Sequence, residues 1–165
     1  MNLHLPYRKQ VSLYVPEPIR SEIDCIRAKT DPEQHSIIPA HITLCYDDEI
    51  EDWSQVIERI AEVAPLTIEL CFGTPIQLDN GGIFLPCISP ANIYYSLREK
   101  ILLGFKKVRL DVKPHITLLH PRHAVGRDRV WDEVKDYQVR DAIKFNCISV
   151  IEKTPNSSWA EREVY

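Results

Sequence analysis

The sequence predicts an α+β fold of two pseudo-symmetric lobes, each a mainly antiparallel sheet flanked by helices, with a site in the cleft between them. Three observations lead there. Segments of strand period alternate along the chain with segments of helical period. The tetrapeptide His-Ile-Thr-Leu occurs twice, at 41–44 and 115–118, about half the chain apart, with Pro39 and Pro114 just upstream. Both copies follow the first helix of their half and precede the second, and this matched position points to an internal duplication. The 165 residues, 44% hydrophobic, suit one compact domain, 1–165, with approximate halves 1–80 and 81–165.

Each element follows from local pattern. Residues 10–15 alternate as a strand, and 17–29 set Ile19, Ile23 and Ile26 at helical spacing. The first motif is the next strand. Residues 50–63 then carry Ile50, Trp53, Val56, Ile57, Ile60 and Val63 on one stripe, and Leu66, Ile68, Leu70 and Phe72 alternate with polar or small neighbours as a strand. Asp79-Asn80-Gly81-Gly82 is turn chemistry and divides the halves. Residues 83–88 form an apolar strand. Ser89-Pro90 then reads as the N-cap and first-turn proline of a helix carried by Ile93, Leu97 and Ile101. After the second motif, Val130, Trp131, Val134 and Tyr137 suggest a short helix. Ile143, Phe145 and Cys147 alternate as one strand running towards Ile151, and residues 159–165 return as a hairpin partner.

Composition narrows the function. A net charge of −4 with no basic run argues against a long duplex nucleic acid as partner, while a small anion in a locally basic pocket stays compatible with it. The five cysteines never fall in Cys-x-x-Cys spacing, so most read as small core residues of a reducing compartment. The N-terminal residues lack the apolar run of a secretion signal, and no stretch is apolar enough for a membrane span. The expectation is a soluble cytoplasmic monomer without a membrane partner.

On a strand, His41 and Thr43 point to one face while Ile42 and Leu44 point to the other, and likewise His115 and Thr117 against Ile116 and Leu118. A pseudo-two-fold axis would bring both polar pairs to one cleft. Two imidazoles and two hydroxyls make a phosphate-sized arrangement. Opening a cyclic phosphodiester needs a base for water, an acid for the departing ribose oxygen, and donors for the charge that builds on phosphorus. Histidine serves either proton role because its ordinary pKa of roughly 6.5 leaves both forms accessible near neutrality. A zinc site is disfavoured, since no His-x-x-x-His or Cys-x-x-Cys pair exists and threonine is not a usual ligand. Cys45, on the face of His41 but roughly 13 Å along the strand, is too distant for a nucleophile and reads as cleft wall or core.

These motifs resemble those of the two-histidine phosphoesterase superfamily, which includes bacterial RNA-end cyclic phosphodiesterases once called 2′-5′ RNA ligases. "VSLYVPEPIRSEI" is similar to that family's first strand, proline and helix, and "KPHITLLHPR" to its second motif with the preceding proline. The resemblance implies catalytic His41 and His115, phosphate donors Thr43 and Thr117, and no metal or cofactor. The implied activity is hydrolysis of a 2′,3′-cyclic phosphate on a nucleotide or RNA end. Another phosphodiester is the alternative, whether a linear 2′-5′ bond, a cyclic oligonucleotide or an ADP-ribose cyclic phosphate, as is a nucleotide-binding module without turnover. Several RNA-processing members carry arginine soon after the second motif. Here His120-Pro121-Arg122-His123 follows, so His120 and Arg122 are the candidate contacts to phosphate or to the substrate's far end. Tyr14, Phe84, Tyr94 and Tyr95 are able to stack a base, and Tyr14 is the candidate substrate contact among them.

Overall fold

A computed structural model describes residues 7–165; residues 1–6, which the sequence assigns to the start of the single domain, lie outside the described residues. The strand β1 (Arg8–Tyr14) is followed by α1 (Ile19–Thr30), α2 (Pro32–Ile37) and β2 (His41–Cys45). After a 3₁₀ turn at Asp47–Glu49 come α3 (Trp53–Val63), β3 (Ile68–Leu70), β4 (Ile76–Gln77) and β5 (Ile83–Pro86). The remainder is α4 (Asn92–Ile101), β6 (His115–Leu119), a 3₁₀ turn at Pro121–His123, α5 (Val130–Val134), β7 (Ile143–Phe145), β8 (Ser149–Lys153) and β9 (Ala160–Val164).

The strands form sheets in the orders β2-β1-β8-β9, β4-β5-β6 and β3-β7, and every described pairing is antiparallel. The α+β class and the two-lobed arrangement read from the sequence are therefore what the chain adopts. The motif strands β2 and β6 share one burial alternation, with Ile42, Leu44, Ile116 and Leu118 sealed in the core. The turn between β4 and β5 uses Gly81 at φ +84, a left-handed value that glycine adopts without a Cβ clash.

Four local readings are corrected. Residues 143–151 are not one strand: Ile143–Phe145 pairs with β3, and after a break the chain joins β1 as β8. Two partner sheets demand two strands, which alternation alone cannot reveal. Ser89 does not cap α4, whose N-cap is Ala91; the Ser89 hydroxyl instead accepts the Cys71 N–H at 2.9 Å. Helix α2 was not anticipated, although Asp31-Pro32 is its signature, with the Asp31 carboxylate accepting the Gln34 N–H and Pro32 at N1. Of the cysteines only Cys45 is fully buried, while Cys25 and Cys147 are exposed.

The motif strands are both edge strands, and side chains rather than another strand satisfy their outer carbonyls. Arg27 Nε and Thr30 Oγ1 of α1 donate to Thr117 O and Leu118 O at 3.1 and 2.7 Å. On the other side, Tyr94 Oη and Arg98 Nη1 of α4 donate to Thr43 O and Leu44 O at 2.8 and 2.5 Å. The third and fourth positions of each motif are thus held the same way, each by the helix that precedes the other motif. Arg98 is itself neutralised by Glu49, which is fully buried at 2.6 Å from it and also accepts the backbone N–H groups of Tyr46 and Arg109.

Candidate active site

Pairing fixes what faces the space between the motif strands. β1 lies against β2 with Ser12 opposite Thr43 and Tyr14 opposite His41, while β5 lies against β6 with Phe84 opposite Thr117. Residues of one parity on these strands share a face. A cleft of about 300 Å³ results, its wall containing His41, Thr43, His115, Thr117, His120 and Arg122. The structure thus brings together six of the seven site residues read from the sequence. Tyr14 is not part of that wall. Its ring stands edge-on to His41 with centroids 6.2 Å apart, where it backs the imidazole.

Both histidines are oriented by the same local device. His41 Nδ1 is 2.8 Å from Pro39 O, and His115 Nδ1 is 2.8 Å from Lys113 O. A carbonyl only accepts, so each Nδ1 carries the hydrogen and each Nε2 is left to take up or release a proton. Phe84 stacks on His115 with centroids 4.3 Å apart and packs one ring face.

Burial pushes the His41 imidazole down from its ordinary value to about 4, with the Arg27 guanidinium and His115 adding to the effect and the bond to Pro39 O opposing it. Burial also lowers His115, again opposed by its carbonyl bond. At neutral pH both rings are therefore predominantly uncharged. A bound phosphate anion favours the charged form and moves them back towards the range where one can carry a proton.

His120 is neutral as well, pushed to about 4 first by burial and then by Arg122 and His123. Its Nδ1 accepts the Arg122 backbone N–H at 3.1 Å, which leaves Nε2–H as a donor. Asp31, 1% exposed, fixes this corner: its carboxylate accepts the His120 N–H at 2.8 Å and meets His123 Nδ1 at 2.8 Å while capping α2.

Several wall residues escaped the sequence reading. Arg8, Gln10, Arg27, Gln34, Tyr46 and Trp159 all line the cleft, as does Phe84, there only one of several possible stacking rings. Trp159 is placed by its backbone N–H, which donates to Ile37 O at 2.8 Å at the end of α2, and the Arg8 guanidinium lies 5.4 Å from its ring centre. Gln34 Oε1 is buried without a partner among the described residues. No sequence period marks these positions, apart from Arg27, four residues after the buried Ile23 on the core-facing stripe of α1.

The profile of the 2'-5' RNA ligase superfamily matches residues 15–151. The fold is similar to that of E. coli LigT complexed with NADP+, at 15% identity and a TM-score of 0.65 over 97% of each chain. It is similar also to LigT complexed with 3'-AMP, at 17% identity and a TM-score of 0.58 over 97% of each chain. A further crystal structure, of a phosphoesterase, shares 16% identity and a TM-score of 0.56 over 97% of this chain and 98% of that one. No protein with a curated description matches. No helix among the described residues is long and apolar enough to cross a membrane.

Proposed function

Because the chain belongs to the 2'-5' RNA ligase superfamily, a group of phosphoesterases, we propose that it hydrolyses 2′,3′-cyclic phosphates of nucleotides or RNA ends, with His41 and His115 as its acid–base pair. The observation that carries this reading is the paired orientation of the histidines, both Nδ1 atoms bound to backbone carbonyls at 2.8 Å and both Nε2 atoms free in one cleft. Water attacks phosphorus opposite the departing ribose oxygen. One neutral imidazole accepts the water proton at Nε2, and the other, charged once the anion is bound, donates its Nε2 proton to the leaving oxygen. Thr43 and Thr117 donate to the non-bridging oxygens as charge builds there. His120 and Arg122 serve the substrate's far end, and Tyr14 steadies His41 beside it. No step needs a metal or cofactor. The working unit is the whole chain, a cytoplasmic monomer of two similar halves. LigT complexed with NADP+ and with 3'-AMP supports a nucleotide as the kind of ligand.

The test is a panel of cyclic mononucleotides, cyclic-phosphate-ended RNA, 2′-5′ dinucleotides, cyclic oligonucleotides and an ADP-ribose cyclic phosphate, each with and without a chelator. Turnover of 2′,3′-cyclic phosphates that survives chelation is expected. Turnover of only another phosphodiester, or binding with no turnover at all, overturns the substrate assignment. Recovery only on adding zinc or manganese overturns the metal-free mechanism.

The threonines allow a separate check. Thr43→Val and Thr117→Val keep a β-branched side chain of similar shape, so thermal unfolding should barely move. The ratio kcat/KM is expected to fall by roughly 10–10³ for each, as for loss of one donor to a developing oxyanion. Unchanged kinetics with altered stability would place both hydroxyls outside the reaction.

A further inference from the structure

Arg27 is a charged residue on the buried stripe of α1, with its side chain 2% exposed. Its guanidinium is almost fully engaged. Nε donates to Thr117 O at 3.1 Å, and Nη1 to Ile38 O at 2.9 Å and to the Asp24 carboxylate. The other amino group, Nη2, has no partner among the described residues. Nor is it among the sealed, unpartnered polar atoms, of which Gln34 Oε1 is the one described. It therefore meets open space, and the open space beside Arg27 is the cleft shared by His41 and Thr117. The other cations of that wall are differently placed. Arg8 is turned to Asp47 and the Trp159 ring, and Arg122 is exposed at the rim against His120.

We propose that Arg27 is the anion-binding cation of this cleft: Nη2 donates to a non-bridging oxygen of a phosphate held between His41 and His115, while the rest of the guanidinium ties β6 to the segment before β2. A guanidinium suits both tasks, since its donors are fixed in one plane and always charged. Orientation by three protein acceptors leaves little to reorganise when negative charge grows on phosphorus. The charge also adds to the downward push that burial exerts on His41, and an incoming phosphate offsets it. The reaction assigned to this arginine rests on the phosphodiesterase reading; the binding of phosphate does not.

The experiment titrates inorganic phosphate into the full chain and follows the ring-proton signals of His41 and His115, alongside kcat and KM for a cyclic mononucleotide. Arg27→Met removes the charge and Arg27→Gln keeps a donor for Thr117 O, so the second stands in if the first does not fold. Thr30→Val removes the neighbouring tie to Leu118 O without touching charge. Phosphate binding is expected to weaken roughly tenfold or more in either Arg27 variant, with kcat falling alongside, and to stay near wild type in Thr30→Val. Equal losses in Arg27→Gln and Thr30→Val would reduce Arg27 to a strand tie. Loss in Arg122→Ala with none at Arg27 would move the anion site to the rim. Arg27-dependent phosphate binding without turnover of any phosphodiester would keep the anion site and remove the reaction, whereas turnover indifferent to Arg27→Gln would do the reverse.

Discussion

Replacing either His41 or His115 with alanine is expected to lower kcat on a 2′,3′-cyclic mononucleotide by on the order of 10²–10⁴, with little change in melting temperature. Each ring reaches the cleft from a strand whose core face is carried by its aliphatic neighbours, Ile42 and Leu44 or Ile116 and Leu118, so its removal leaves the fold intact. Proton uptake and proton delivery belong to one transition state, so the double variant is expected to lose far less than the product of the two single losses. Steady-state kinetics on the three proteins decide the matter. A single variant that turns over at close to the wild-type rate would exclude its histidine from the chemistry.

The largest expected effect on stability lies behind the first motif, at Glu49. Its carboxylate is completely buried, binds Arg98 through both oxygens at 2.6 and 3.1 Å, and accepts two backbone N–H groups. Glu49→Ala leaves the Arg98 guanidinium, 5% exposed, without its counter-ion. Stranding one charge of a buried pair costs about 3–5 kcal/mol. In a chain of this size that corresponds to a fall in Tm on the order of 10 °C. Glu49→Gln, which keeps the shape and part of the hydrogen bonding, is expected to fall between wild type and alanine. Thermal unfolding of the three proteins checks this, and an alanine variant within two degrees of wild type would show that Arg98 finds another partner.

The two motif strands, their facing and their convergence on one cleft were legible from residue order alone. Side-chain alternation is a local property, and the repeat supplied the long-range relation. Most of the rest of the wall was not legible. Arg27 and Arg98 occupy the apolar stripes of α1 and α4, yet a charged side chain within such a stripe reads as solvent-facing until its acceptor is known. Those acceptors, Thr117 O and Leu44 O, lie far along the chain. Trp159 and Arg8 reach the cleft because β8 docks on β1 and carries β9 with it; the β8–β9 hairpin is legible in the alternation, but its docking on β1 is not. The missed helix at Pro32–Ile37 is different, because its Asp-Pro start was visible and only its shortness hid it. Ser89-Pro90 erred the opposite way, a good capping sequence whose hydroxyl is claimed by the Cys71 N–H.

Side-chain donors from α1 and α4 grip the outer carbonyls of both motif strands, so drawing β2 away from β6 breaks hydrogen bonds at Thr43, Leu44, Thr117 and Leu118 together. A cleft tied in this way resists separation of its two halves. Ligands diffuse into a cavity already shaped, so few groups have to be ordered as they bind.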